Sequence, residues 1–323
     1  VDCRGKYLIP GLIDSHIHMD SNEITEMLLA NGVTACRNMW GFPETQQWCR
    51  EIDEGKRFGS KVYSTGPLTD GQEYWEHSLI VKTPEEGKKA VLDCIRGGYR
   101  YVKTYPSIPR EAFFKLMDTA RNPEEIIMLA ESGMWFCPTF IVGRTIERYV
   151  HLDHNVRETK NYDAMCSYWK RDWDKITAWR KALHRYDNLD YEEELERARI
   201  FARHSDRVLL GTDVPNPGVT GGFSVYEEME LMEEILGYRP YEILLSATVR
   251  AAKCLEIESE KGKIAEGMDA DLLILEKNPL ENIRNANTFT AVIKEGTLYT
   301  KEECHQVLER VKNYTDQEIC PLM

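Results

Sequence analysis

Apolar runs of strand length alternate with helical patterns along most of this 323-residue chain. Residues 33–38 and 61–65 have the composition of buried strands, and residues 24–31 and 44–55 carry apolar side chains at helical spacing. A further strand is predicted to end near His18, because the apolar run before it is broken only by a Pro-Gly pair. The order of strand, helix and strand predicts a parallel sheet with helices outside it.

The same alternation continues up to residue 260, yet it supplies too few strands for a closed barrel. Helices 109–121 and 123–132 abut at Arg121-Asn122 with no strand between them, so the pattern gives six strands where closure needs eight. Because missing neighbours would leave open sheet edges, we expect that a segment carrying two strands is absent at this junction; a degenerate enzyme is the alternative. The other predicted elements are helices 84–97 (with Thr83 as N-cap), 123–132, 224–235 and 241–255, and strands 99–105, 134–142 and 208–210.

Residues 143–205 form a long polar insertion with helical periodicity and several tyrosines and tryptophans set among charges. Two interpretations stay open for it. The insertion is either a solvated pair of helices with an aromatic seam or a lid over the mouth of a barrel.

From Gly262 onward the chain changes to short strands separated by glycine turns. A few such strands are not stable alone, so the opening strand before Pro10 is expected to pair with them. The expected architecture is an α/β chain with a (β/α)8 TIM-like barrel over 11–260. A small β-sandwich domain is expected from the two chain ends, 1–10 and 261–300, incomplete at its N-terminal side, with a C-terminal tail over 301–323.

The net charge of −13, without any cluster of lysine and arginine, argues against binding to nucleic acid or to anionic membranes. No apolar run approaches the roughly 18 residues that span a bilayer. Nine cysteines without a Cys-x-x-Cys pair do not suggest a disulfide framework, which favours a reducing, cytoplasmic compartment. The location stays open, because the sequence begins at Val1 and a signal peptide would lie upstream.

Four residues carry candidate chemistry. His16 and His18 are two residues apart on a strand, so their imidazoles point to one side, which is how a metal site begins; an isolated pair of this kind is more often a surface or core feature. Asp213 follows the last predicted barrel strand, where catalytic carboxylates lie. Lys103 either extends out of its strand or is buried, and a buried neutral amine can take up carbon dioxide to give a carbamate ligand.

These residues stand in a set of motifs that together are specific. The motifs are Pro10-Gly11-Leu12-Ile13-Asp14-Ser15-His16-Ile17-His18, Gly32-Val33-Thr34, Val102-Lys103, Gly211-Thr212-Asp213, Asn216-Pro217-Gly218, Gly222-Phe223-Ser224, Gly262-Lys263-Ile264 and Asp269-Ala270-Asp271-Leu272. Across nearly its whole length the chain resembles the amidohydrolase superfamily, in particular the branch of imidazolonepropionase-like and Xaa-Pro dipeptidase-like enzymes.

The resemblance implies a binuclear metal centre. His16, His18 and Asp213 would hold one divalent ion, and a carboxylated Lys103 would bridge to a second, with zinc as the first expectation for both. The family's two later histidines have no matching positions, since no histidine lies between Thr104 and Val150. With those positions truly absent, the centre would hold a single ion.

The resemblance also implies the reaction. A metal-bound hydroxide would cleave the C–N amide bond of a dipeptide, an N-acyl amino acid or a cyclic amide, and Asp213 would move the proton from the water to the departing nitrogen. A lactone or ester hydrolase at the same centre, and a non-catalytic amidohydrolase-like binding protein, are the alternatives.

Other residues are expected to have supporting roles. His77 and Tyr105 are candidates for contact with a small-molecule substrate, and Asp14 is expected to anchor its strand rather than bind a metal. A homo-oligomer is possible for an acidic barrel of this size. The remaining histidines, His151, His154, His184, His204 and His305, are expected at the surface or in the tail.

Overall fold

The computed structural model describes residues 1–21, 23–72, 78–82, 86, 90, 93, 96–99, 101–105, 134–183, 190–315 and 319. Its strands are β1 Tyr7–Pro10, β2 Leu12–Ile17, β3 Val33–Asn38, β4 Lys61–Asp70, β5 Leu79–Ile80, β6 Tyr101–Thr104, β7 Leu272–Leu275, β8 Phe289–Lys294 and β9 Thr297–Thr300. Its α-helices are α1 Glu23–Ala30, α2 Pro43–Asp53, α3 Phe140–Ile146, α4 Ser167–Ala182, α5 Tyr191–His204, α6 Phe223–Leu236, α7 Pro240–Ser246, α8 Val249–Cys254 and α9 Lys301–Lys312.

A parallel sheet with intervening helices forms the centre of the molecule, as the alternating pattern predicts. Strands β2, β3 and β4 are neighbours in that order, and β5 and β6 both pair with β4. Strand β2 is almost entirely buried, because a parallel sheet is covered on both faces. The protein is therefore an α/β protein.

Two further extended segments continue this sheet beyond β2. The segment 207–214 runs parallel to β2, with Ser15 N donating to Leu210 O over 3.0 Å and an isolated bridge from Ile17 to Val214. The segment 134–137 lies on its other side, through a parallel bridge from Phe136 to Val208. The described order is thus 134–137, 207–214, β2, β3, β4 and β6. Closure into an eight-stranded barrel, like the junction 121/122, depends on residues outside the described ranges and stays a prediction.

Gly11 separates the first two strands, which belong to different sheets. Strand β1 pairs antiparallel with β7, whereas β2 lies in the parallel sheet. A Cβ atom at Gly11 would lie 2.1 Å from Thr34 Oγ1, so only glycine permits this approach. Its N–H donates to Asp271 O over 2.8 Å and so joins the two sheets.

The predicted strand 134–142 is wrong in its second half, where helix α3 begins at Phe140. Pro138 has no N–H for continued pairing, and Thr139 adopts φ +47°. Buried Glu228 of α6 then accepts the free N–H groups of Phe140 and Ile141 over 2.9 and 2.8 Å. A carboxylate from a distant helix therefore starts α3, which no local pattern encodes.

The single helix predicted over 241–255 is also wrong, since the structure has two short helices, α7 and α8. The break falls at Ala247 and Thr248. Here the carbonyl of Ser246 accepts from Leu210 N over 3.2 Å and that of Ala247 accepts from Ile13 N over 2.8 Å. The helix breaks because its carbonyl groups bind the end of the parallel sheet.

The small β-region is one antiparallel sheet in the order β1, β7, β8, β9. The opening strand pairs with it, as expected from its lack of another neighbour. Buried Lys261 bridges Asp269 and Asp271, both over 2.7 Å. A second layer, which a β-sandwich requires, is not seen within the described residues, and the domain boundaries 1–10, 261–300 and 11–260 stay predictions.

The C-terminal region needs a correction, because the residues predicted as a tail begin with helix α9. Thr300 caps this helix by accepting from Glu303 N over 3.2 Å, while the Glu303 carboxylate accepts from Thr300 N over 2.8 Å. The helix packs on α1, where Arg310 donates to buried Glu26 over 2.6 Å.

The insertion 143–205 is helical, as predicted, with π and 3-10 turns (Glu147–His151, Val156–Glu158, Tyr162–Ala164) between α3 and α4. The predicted helices 84–97, 109–121 and 123–132 lie largely or wholly outside the described residues. Among the residues that the structure describes, no helix is long and apolar enough to cross a membrane.

Replacing Glu228 by Gln should lower the free energy of unfolding by about 1–3 kcal/mol, because an amide can accept only one of the two N–H groups and turns its NH2 group toward the other. Urea unfolding followed by circular dichroism measures this, with exposed Glu266→Gln as the control. Equal stability of the two variants would show that the carboxylate does not hold the start of α3.

Candidate metal centre

His16, His18 and Asp213 come together at one end of the parallel sheet. Their potential ligand atoms all lie within 4.8 Å of one another. Asp213 Oδ1 is 2.8 Å from His18 Nε2 and 3.5 Å from His16 Nε2. Two imidazoles and one carboxylate converging on one point form a donor set that zinc and related divalent ions accept.

Local structure holds each of these side chains in place. His16 and His18 lie on the same side at the end of β2, which the spacing of two residues predicts. Asp213 has φ +58°, a left-handed conformation that is uncommon for any residue but glycine. Its N–H donates to His16 O over 2.7 Å, and Asn216 Nδ2 donates to its carbonyl over 2.7 Å. Such strain, held by surrounding bonds, is typical of functional sites.

Asp14 anchors the backbone next to the centre, which is the role expected for it from the sequence. Its buried carboxylate accepts from the Thr212 hydroxyl over 2.6 Å, from Thr212 N over 3.0 Å and from His16 N over 3.1 Å. Burial raises the pKa of Asp14 to about 7, against the hydrogen bonds from Thr212 and His16. Asp14 therefore fixes the backbone of β2 to that of the segment before Asp213.

Two of the candidate ligands, His16 and Asp213, have shifted pKa values that suit metal binding. Burial lowers the pKa of His16 to about 3, so its imidazole is neutral near pH 7. Burial acts against ionisation of Asp213, but the nearby His16, His18 and Lys103 outweigh it and lower the pKa of Asp213 to about 2. The Nδ1 atom of His18 is buried without a hydrogen-bond partner in the described structure.

Lys103 lies on β6, which pairs with β4 in the same parallel sheet. Its side chain is half-buried beside this centre. Burial lowers its pKa, opposed by the charge of Asp213 and reinforced by that of Arg37. The Nζ atom lies 5.4 Å from the centre of the Tyr105 ring. The direction of the pKa shift favours a neutral amine, which is the form that a carbamate requires.

The residues fit one divalent ion better than two. His16, His18 and Asp213 form the one group of histidine, cysteine and acidic atoms with ligand spacing in the described part of the chain. His151 and His154 contact Glu147 and Glu158 on the insertion instead. His204 and His305 are exposed on α5 and α9, and His77 and His184 lie outside the described residues.

A cavity of about 480 Å³ opens beside His18 and Asp213. Tyr105, a predicted substrate contact, lines it, whereas the other candidate, His77, is outside the described residues. Six residues of helix α4 also line this cavity, which favours the lid interpretation of the insertion. The aromatic lining consists of Trp40, Tyr105, Trp169 and Trp179.

Three side chains of α4 bind the start of helix α1 and the loop that follows Asp213. Trp169 donates to Glu23 over 2.5 Å, and Trp173 donates to the carbonyl of Pro215 over 2.8 Å. Arg180 donates to the Asn216 side chain over 2.5 Å. Both tryptophans are buried. The three tryptophans of the predicted aromatic seam therefore lie on α4, the helix that lines the cavity.

Sequence reasoning missed two acidic side chains in this cavity, Asp20 and Asp172. Asp20 continues the alternation of His16 and His18 beyond the end of β2, a signal that could have found it. Asp172 lies on α4, and only the packing of the insertion over the mouth brings it there.

The fold and site together define a class: parallel α/β proteins with a His-x-His pair at the end of one strand and, next to it, an aspartate that follows a second extended segment, in a group that could hold a metal ion. The family model for the amidohydrolase family matches residues 102–299, and the chain belongs to that family. The resemblance stated from the sequence motifs is thereby confirmed.

Individual relatives agree with this assignment. The adenine deaminase of Geobacillus kaustophilus is 24% identical over an alignment of 327 residues with gaps. The alignment covers 96% of this chain and 54% of that protein. The imidazolonepropionase of Kosmotoga olearia is 32% identical over 114 residues, which cover 34% of this chain and 28% of that protein. The chain thus spans about half the length of the adenine deaminases that it matches.

Among solved structures, a Xaa-Pro dipeptidase with methionine bound in its active site superposes with a TM-score of 0.71 at 18% identity. The match covers 93% of this chain and 88% of that one. At this level of identity the likeness concerns the fold.

Replacing His18 by Ala should weaken zinc binding at least about tenfold, because one of three ligands is lost. Elemental analysis after dialysis, together with the thermal midpoint with and without added zinc, measures this. Exposed His305→Ala is the control and should retain the metal. Retention of the same metal content by both variants would contradict the assignment of the site.

Proposed function

We propose that this protein is a metal-dependent hydrolase that cleaves a C–N bond of a small amide held in the cavity. One observation carries the proposal. His16, His18 and Asp213 converge within 4.8 Å, and two of them line a cavity of about 480 Å³, a size suited to a small molecule.

A divalent ion in this site would activate a water molecule and polarise the carbonyl group under attack. The chain's own contribution is positioning and proton transfer. Asp213 is ionised, and the carboxylate oxygen that does not face His18 can take the proton of the attacking water and return it to the leaving nitrogen. The bonds of the Asp213 backbone to His16 and Asn216 keep the carboxylate in place while it does so.

Zinc is the ion that we propose, because two imidazoles and a carboxylate suit it. A carboxylated Lys103 that binds a second ion is the alternative to a single ion, and the lowered pKa of this amine supports it. The absence of histidines from residues 105–150 favours a single ion. Metal analysis distinguishes one ion per chain from two.

The substrate class that we propose is a dipeptide, an N-acyl amino acid or a cyclic amide. The names of the relatives, adenine deaminase, imidazolonepropionase and Xaa-Pro dipeptidase, denote breakage of C–N bonds in small molecules. The aromatic wall of Trp40, Trp169, Trp179 and Tyr105 favours a substrate with an apolar or ring portion.

The experiment is an assay of the zinc-loaded protein against dipeptides, N-acyl amino acids and cyclic amides, with esters and lactones as a second panel. Asp213→Asn should lower kcat by about 10²–10⁴-fold, because the proton carrier is lost. The highly exposed Asp163→Asn is the control and should behave like the wild type.

Chelator treatment should abolish turnover, and zinc should restore it. Turnover of esters alone would favour the lactone or ester hydrolase. Metal bound without turnover of any compound would favour a binding protein and contradict the proposal.

A further inference from the structure

Two carboxylates face the cavity without a hydrogen-bond donor for one of their oxygens. Asp20 follows the end of β2, and Asp172 lies on the covering helix α4. Asp20 Oδ1 and Asp172 Oδ2 are both buried, and neither accepts a hydrogen bond from the residues that the structure describes. Buried carboxylate oxygens are costly to leave unpaired, so this arrangement requires an explanation.

The two carboxylates lie near each other and near the metal centre. Both carboxylates line the cavity that also contains His18 and Asp213. A cationic group bound in this cavity against Asp20 and Asp172 would supply the missing donors and offset their negative charges.

The positive side chains of the same cavity do not supply those donors. Burial raises the pKa of Asp172 and the charge of exposed Lys175, one turn along α4, opposes this shift, but Lys175 donates no hydrogen bond to Asp172 Oδ2 in the described structure. Arg180 donates to Asn216 at the mouth.

Two indole rings in the lining of the same cavity also suit a cation. The ring of Trp40 stands edge-on to His18 with 6.0 Å between ring centres, and Trp169 is fixed by its bond to Glu23. Indole faces attract ammonium and guanidinium groups, most strongly where water is excluded.

We propose that the cavity selects substrates that carry a cationic group, an ammonium or guanidinium, which binds between Asp20 and Asp172 beside the metal centre. The inference rests on the proposed function for its placement next to the reacting bond. The cation is either the free α-amino group of a dipeptide or a basic side chain, and the two sources share the same chemistry.

Binding can be followed by fluorescence, because three tryptophans line the cavity. The zinc-loaded protein is mixed with leucyl-glycine, N-acetyl-leucyl-glycine or N-acetyl-lysyl-glycine in a stopped-flow instrument, and the change in tryptophan fluorescence is recorded before turnover. We expect at least one of the two cationic compounds to bind about tenfold more tightly than the neutral one, the effect of one well-placed charge. Leucyl-glycine as the tighter ligand identifies an α-amino group, and N-acetyl-lysyl-glycine a side chain.

Asp172→Asn should bring this affinity ratio close to one while zinc content and thermal midpoint are retained. Asp174→Asn is the matched control: it lies two residues along α4, where it pairs with Arg157 over 2.7 Å, and should keep the ratio. Equal affinities for all three compounds, no binding, or an unchanged ratio in Asp172→Asn would overturn the proposal. So would loss of zinc from Asp172→Asn, which would make Asp172 part of a metal site.

The two proposals can fail separately. Preference for the cation without hydrolysis of any compound would leave the subsite standing and count against the hydrolase. Hydrolysis of the neutral compound, together with equal affinity for all three compounds, would support the hydrolase and overturn the cation subsite.

Discussion

The pairing of β2 with the segment 207–214 is the interaction on which the site depends. It brings together residues that are 198 positions apart, since Asp14 accepts both the backbone and the side-chain donor of Thr212. The same contact joins Asp213 N to His16 O over 2.7 Å. Without it, the two histidines would stand alone at a strand end, where their spacing has no special meaning.

The second constraint is the attachment of the insertion to the sheet. Helix α4 is fixed through Trp169 to the start of helix α1, and through Trp173 and Arg180 to the loop that follows Asp213. Because this loop directly follows one candidate ligand and α1 begins a few residues after His18, the cavity wall and the centre are held together. Helix α4 also contributes a carboxylate, that of Asp172, to the lining of the cavity.

Much of this arrangement could be predicted from the sequence. The alternation of apolar strands and helices gives the parallel α/β sheet, because each element has a local period. His16, His18 and Asp213 could be named because the family motifs place them, and the structure brings them together. The pairing of β1 with the C-terminal strands follows from the instability of isolated strands.

Two of the errors share a physical cause, which is hydrogen bonding of backbone groups to partners that are distant in sequence. Glu228 starts α3 in the middle of a predicted strand, and the N–H groups of Leu210 and Ile13 divide a predicted helix into two. Helix α9, predicted as a tail, is stabilised on α1 by the Arg310–Glu26 contact. Asp20 and Asp172 were missed for a related reason, because their shared cavity exists only once α4 covers the sheet.

The central claim is that His16, His18 and Asp213 hold a divalent ion. X-ray absorption spectroscopy at the zinc edge of the zinc-loaded protein tests it most directly. The account predicts scattering from two imidazole rings, with nitrogen at about 2.0–2.1 Å, together with carboxylate oxygen. A spectrum without imidazole scattering, or one dominated by sulfur at about 2.3 Å from cysteine ligands, would contradict the account.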